Sequence, residues 1–175
     1  MKSLLKSAEA LFQESKNNTS LLANASSFIM HSIKDLNWVG FYLFENEYLV
    51  VGPFQGKPAC VEIQVGNGVC GKAFQLNQVL NVKNVHLFEG HIACDSDSNS
   101  ELVIPLVKND IKIGVLDIDS PVYNRFDSDL QNFFESFAHL LLTYYKESWQ
   151  NSFTWYNIAV GKKQALHLFI PNLYP

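Results

Sequence analysis

The chain has 175 residues, 47% hydrophobic and 17% charged, where ordinary soluble domains carry about 25% charge; it is sized for one domain with a full core and is no disordered tail. Thirteen basic against 17 acidic residues leave a formal charge of -4. No Lys/Arg cluster and no apolar run of about 18 residues occurs, so nucleic acid, anionic membranes and membrane spans are not expected.

The first 36 residues carry helical spacing in two stretches: Leu4, Leu5, Ala8, Leu11 and Phe12, then, after Lys16-Asn17-Asn18, Leu21, Leu22, Ala25, Phe28, Ile29 and Ile33. Thr19 or Ser20 is placed to cap the second helix. Glu9 and Glu14 interrupt the N-terminal stretch before any secretory signal develops, so a cytoplasmic location is expected. From Trp38 the period becomes two. Residues 38–44, a turn at Glu45-Asn46 and residues 48–51 predict a hairpin with Trp38, Gly40, Tyr42 and Phe44 on one face. A strand over 60–65 runs into Gly66-Asn67-Gly68-Val69-Cys70-Gly71 and a short helix through Ala73-Phe74. Residues 84–100 show neither period, yet hold Leu, Phe, His, Ile and Cys at a density that no linker needs; a loop this long is expected to be functional. Residues 101–107 and 113–119 read as strands around a 108–112 loop. Ser128-Asp129-Leu130-Gln131 matches a capping box, opening a helix whose apolar stripe is Leu130, Phe133, Phe134, Phe137, Leu140, Leu141, Tyr144 and Tyr145. Helices at both ends of a run of meandering strands predict an α+β domain, a central antiparallel sheet with helices packed on one face. Residues 1–148 are assigned to it, and 149–175, with strand-like runs at 155–160 and 166–170, to a C-terminal extension of unknown role.

Asp117 and Asp119 leave the same face of their strand, where aspartate is normally scarce. With 108–112 as the loop, Val107 faces Ile113 and Glu101 lies opposite Asp119, their Cβ atoms about 4.5 to 5.5 Å apart. Either these acids end their strands at a solvent edge, or they converge and need a shared proton, a cation or a cationic ligand group. Convergence predicts an acidic pocket that accepts an ammonium group and keeps one carboxyl protonated as a general acid.

Cys60, Cys70 and Cys94 are an odd number and cannot close a complete disulfide framework. Cys94 follows His91 by three residues and precedes Asp95. Cys70 sits in a glycine turn that opens a helix, where amide groups favour a thiolate. Buried, inert thiols are the plain alternative. Spacings of ten and twenty-four residues with no Cys-x2-Cys pair argue against zinc even with His86 and His91 nearby, so no metal is expected. Gly66-x-Gly68-x-x-Gly71 lacks the context of a phosphate loop.

Six ordered motifs, Asn37-Trp38-Val39-Gly40-Phe41-Tyr42, Gly52-Pro53-Phe54-Gln55-Gly56-Lys57-Pro58-Ala59-Cys60, Gly68-Val69-Cys70-Gly71, Gly90-His91-Ile92-Ala93-Cys94-Asp95, Ser100-Glu101 and Leu116-Asp117-Ile118-Asp119-Ser120, resemble the free methionine-(R)-sulfoxide reductase family, built on the GAF fold. The resemblance runs from about Leu4 to Lys146. It implies reduction of the R sulfoxide of free methionine by a cysteine thiolate through a sulfenic acid and an intramolecular disulfide, with thioredoxin as the external reductant and no bound cofactor. By similarity Cys94 is the nucleophile, and Cys60 and Cys70 are the thiols available for resolution. Glu101, Asp117 and Asp119 would line the pocket, Glu101 or Asp119 as proton donor and the others on the substrate ammonium. Trp38 and Tyr42 would wall the methyl-sulfoxide end, and backbone amides of the 91–95 loop, which brings His91 and Asp95 to the substrate, would meet its carboxylate. An internal methionine of a peptide has no α-ammonium and would leave the acids unpaired. The competing function is a non-enzymatic GAF sensor of a small ligand or of redox state. Self-association as a homodimer is compatible with either.

Overall fold

The computed structural model describes residues 1–92 and 94–146; the strand-like runs expected within 149–175 lie outside the described residues. Met1–Tyr145 form one compact unit. Its helices are α1 (Lys2–Gln13), α2 (Asn18–Ser32), α3 (Gly68–Leu76) and α4 (Ser128–Tyr144). The cap of α2 is Asn17, not Thr19 or Ser20: its side chain accepts the Ser20 N–H at 2.9 Å, and the Ser20 hydroxyl returns the contact as the third residue of the capping box. Likewise Asp127 caps α4, taking the Leu130 N–H at 2.8 Å. The expected Ser128/Gln131 box does not form, because the Gln131 amide is held by Asn81 at 2.9 Å and by Glu135 at 2.8 Å.

Six strands, β1 (Trp38–Glu45), β2 (Tyr48–Gln55), β3 (Glu62–Gln64), β4 (Leu80–Val82), β5 (Ser100–Lys108) and β6 (Ile111–Ser120), make one antiparallel sheet in the order β3-β2-β1-β6-β5-β4. The first hairpin turns at Asn46-Glu47, both with positive φ, so β1 extends through Glu45. The β5–β6 hairpin differs from expectation in an instructive way. Its turn is only Asn109-Asp110, again with positive φ, and Val107 pairs with Lys112. An irregularity between Leu106 and Val107 then adds one residue, and beyond it the register places Glu101 opposite Asp119 as expected.

The period of two separates the faces of the sheet. Val39, Phe41, Leu102, Ile104, Leu106, Leu116 and Ile118 are buried against α1, α2 and α4, whose Phe12, Leu21, Ile29, Phe133, Phe134 and Phe137 complete the main core. On the opposite face, Trp38, Tyr42, Val103 and Val115 pack with Val69, Cys70, Ala73 and Phe74 of α3. Glu101, Asp117 and Asp119 belong to this second, thinner side, where α3 and the irregular segment after β4 cover the sheet incompletely and leave a cavity. No helix among the described residues is long and apolar enough to cross a membrane.

Candidate active site

The glycine-rich turn exists to seat α3 on the sheet. Gly66 and Gly68 adopt positive φ of 91° and 62°. Gly71 must lack a side chain, since a Cβ there would lie 2.5 Å from the Gln64 carbonyl oxygen. The turn thereby places Cys70, in the first turn of α3, over the acids, with its Sγ donating to Glu101 Oε1 at 3.9 Å. A Cys70 Sγ and one carboxylate oxygen each of Glu101 and Asp117 lie within 4.8 Å of one another, all three residues buried. A thiol and two carboxylates so close could ligate a divalent cation or surround an ammonium group.

Burial dominates the electrostatics. It pushes the Glu101 carboxyl well above the usual range, and Asp117 and Asp119 push it further. Asp119 rises for the same reasons, burial first and the Asp117 charge second, partly offset by a hydrogen bond from Ser98. Asp117 is raised to about 7 by burial, against the hydrogen bonds it receives from Cys70, Glu101 and the backbone. Its Oδ1 is buried with no hydrogen-bond partner among the described residues. The expectation that a helix start would acidify Cys70 fails here: burial, then the charges of Asp117 and Glu101, drive this thiol well above its usual value and keep it protonated. His91 stands 3.8 Å from Glu101 Oε2, held low by burial and by His86, so it faces the acids as a neutral ring.

Cys94 is bonded to Cys60, with an S–S distance of 2.04 Å across 34 residues of sequence, and Cys70 is left as a free buried thiol. Cys94, Asp95, His91 and Ser98 from the irregular segment share one cavity with Tyr42, Cys70, Glu101, Asp117 and Asp119. Trp38 and Tyr42 wall an adjoining hollow that reaches Cys94, Asp117 and Asp119. Trp38 stacks between Tyr42 and Phe54, at centroid distances of 5.8 and 5.2 Å. Trp38 Nε1 donates to the Lys57 carbonyl at 3.2 Å, and the Tyr42 hydroxyl to the Cys60 carbonyl at 3.1 Å, so this pair also fixes the β2–β3 connection that carries Cys60. All ten residues singled out in the sequence thus meet around the two hollows, Cys60 through its bond to Cys94.

Asp95 differs from the other acids. Burial opposes its charge, but the Asp97 N–H, the Asn37 amide and Lys57 all donate to it and hold its carboxyl below the usual range. Neither Asn37 nor Ser98 stands out as a site residue in the sequence alone. One Asn37 amide donates to Asp95 Oδ2 at 3.0 Å and to Ser98 Oγ at 2.9 Å, leaving the Ser98 hydroxyl proton for Asp119. An asparagine just before a strand and a serine in a polar run carry no pattern that distinguishes them from turn residues.

The GAF domain profile matches residues 20–143. The free methionine-R-sulfoxide reductase of Escherichia coli strain K12 is 56% identical over 120 residues, covering 68% of this chain and 73% of that protein. Its namesake in Saccharomyces cerevisiae is 44% identical over 149 residues, covering 81% and 83%. This chain belongs to the free methionine-R-sulfoxide reductase family. As an enzyme of that family it also matches, in structure, the free methionine-R-sulfoxide reductase of Neisseria meningitidis solved in complex with its substrate, with a TM-score of 0.80 and 34% identity over 86% of this chain and 90% of that one.

Proposed function

We propose that the protein reduces the R sulfoxide of free methionine, with Cys94 as nucleophile and Cys60 as the resolving thiol. The observation that carries this reading is the Cys60–Cys94 bond, with Cys94 in the wall of a cavity built on the buried acids Glu101 and Asp117 and the half-buried Asp119. The Cys94 thiolate attacks the sulfoxide sulfur while a protonated carboxyl, Glu101 or Asp119, gives its proton to the sulfoxide oxygen. The S–O bond breaks as the protonated oxygen departs, leaving Cys94 Sγ bonded to the substrate sulfur; water then attacks Cys94 Sγ and breaks that S–S bond, so that methionine leaves as a thioether reduced by two electrons and Cys94 carries the oxygen as a sulfenic acid. Cys60 then attacks the sulfenic sulfur. Hydroxide leaves with the Cys60 proton as water, and the oxidation now resides in the disulfide. One sulfoxide and two thiols have given one thioether, one disulfide and one water. The dithiol of thioredoxin reopens the bond by exchange, which suits a reducing cytoplasm.

The raised carboxyls support this role, because an acid must still hold its proton near neutral pH to donate it. The unpartnered Asp117 Oδ1 supports a cationic guest, and the substrate's α-ammonium is the group that fits. Cys70 stays a thiol that braces the acids. Asp95 organises the Cys94 segment, and the backbone amides of 91–95 meet the substrate carboxylate, although those of His91 and Cys94 donate to the Phe88 and Ile92 carbonyls while the disulfide is closed. With the disulfide closed the cavity holds about 30 Å³, room for a water or two. Residues 1–148 carry this chemistry, with 149–175 as an appendage to it.

The test is incubation with free methionine-R-sulfoxide, thioredoxin, its reductase and NADPH. Stoichiometric NADPH consumption and methionine formation are expected. No consumption, with the reductant shown to be active on another disulfide, rejects the enzyme in favour of a sensor.

A further inference from the structure

The two segments that carry the disulfide are joined a second time, by a cation that lines neither hollow of the site. Lys57, three residues before Cys60, lies 3.3 Å from a carboxylate oxygen of Asp95, the neighbour of Cys94, and also contacts Asp97. The Asp95 side chain is only 5% exposed, against 58% for Lys57 and 57% for Asp97. That buried carboxylate is anchored from behind, by the Asn37 amide at 3.0 Å and the Asp97 N–H at 3.0 Å, and Asn37 is itself pinned to the sheet by its N–H to the Asp119 carbonyl at 3.1 Å. On the other side, Trp38 holds the Lys57 carbonyl and Tyr42 the Cys60 carbonyl. Each segment therefore has its own footing on the sheet, and the Lys57 side chain ties one to the other without passing through either sulfur.

We propose that Lys57 is a positioning residue for the resolving step: bound to Asp95 and Asp97, it keeps Cys60 beside Cys94 while both are unbonded, and so raises the effective concentration of one sulfur for the other. The inference rests on the proposed roles of Cys94 and Cys60. It adds that closure of the disulfide is prepared by an ion pair and is not left to chance encounter of two mobile segments. An exposed cation on a buried carboxylate sits at the upper end of what such pairs contribute, roughly a factor of five in an equilibrium or rate.

The experiment compares wild type, Lys57→Met and Lys57→Arg, each fully reduced and mixed with free methionine-R-sulfoxide in the absence of reductant. Methionine formation and loss of free thiols are followed separately. Lys57→Met should form methionine, and with it lose the first thiol, at the wild-type rate but lose the second thiol, Cys60, about fivefold more slowly; Lys57→Arg should restore the rate, and added salt should narrow the gap between wild type and Lys57→Met. A substrate-free arm equilibrates the same proteins in glutathione redox buffers, where Lys57→Met should favour the dithiol about fivefold more, equivalent to about 20 mV at 29.6 mV per tenfold. Wild-type thiol loss in Lys57→Met, or equal slowing of methionine formation and thiol loss, overturns the proposal. A wild type that makes no methionine overturns the reaction scheme instead, and the glutathione arm then decides on the latch by itself, an unchanged equilibrium refuting it.

Discussion

Replacing Asp117 by asparagine should change how stability depends on pH, in a direction fixed by the burial of its carboxyl. The group moves from an ordinary value of 3.8 to about 7 in the folded protein, burial being the main cause. A carboxyl raised on folding binds its proton more tightly in the native state, so stability falls as pH rises from about 4 to about 7 and is level beyond. A rise of roughly three pH units corresponds to about 4 kcal/mol. The asparagine side chain mimics the protonated form and cannot ionise. The variant and wild type should therefore be nearly equal in stability at pH 4, with the variant ahead by about 4 kcal/mol at pH 8. Relief of the Asp117 charge on Glu101 and Asp119 adds to the difference, while His91, lowered in both proteins, cancels from it. Urea unfolding of the two oxidised proteins at pH 4, 5.5, 7 and 8 measures it. A difference that stays flat across this range would refute the claim that Asp117 is buried at a cost relieved by a proton.

Other outcomes follow from the same geometry. N-acetyl-methionine-R-sulfoxide, which lacks the ammonium group, should lose about 10³-fold or more in kcat/KM in the thioredoxin-coupled assay, since its binding leaves the acids unpaired. Tyr42→Phe removes the 3.1 Å bond to the Cys60 carbonyl and should cost about 1 kcal/mol in urea unfolding. Gly71→Ala, whose new methyl would meet the Gln64 carbonyl at 2.5 Å, should cost about 2 kcal/mol, read from the same unfolding curves.

The acids were legible because a strand repeats every two residues: Asp117 and Asp119 must share a face, and hairpin pairing brings Glu101 across from Asp119. The turn itself was not legible. Asn109 and Asp110 take positive φ without a glycine to announce it, and the compensating irregularity at Leu106/Val107 leaves no mark in the sequence. β4 was missed because three residues, Leu80–Val82, are too few to display a period. The pairing of Cys60 with Cys94 over Cys70 is a tertiary outcome: α3 turns Cys70 down onto the acids, whereas β2 and the Tyr42 hydroxyl bring Cys60 toward Cys94. For Cys70, proximity to a helix start suggested a thiolate, but three neighbouring carboxylates and full burial outweigh the few amides there. The network of Lys57, Asp95, Asn37 and Ser98 joins residues up to 61 positions apart, and no local pattern encodes it.

The most direct measurement is a single turnover of the reduced enzyme with free methionine-R-sulfoxide and no reductant, quenched with an alkylating agent and mapped by peptide mass. The account predicts, once the quenched protein is unfolded in the presence of the alkylating agent, one methionine per chain, a Cys60–Cys94 disulfide and an alkylated Cys70; Cys60→Ser should still yield one methionine, and Cys94→Ser none. Methionine formed by Cys94→Ser, or a wild-type disulfide that contains Cys70 after turnover, would contradict it.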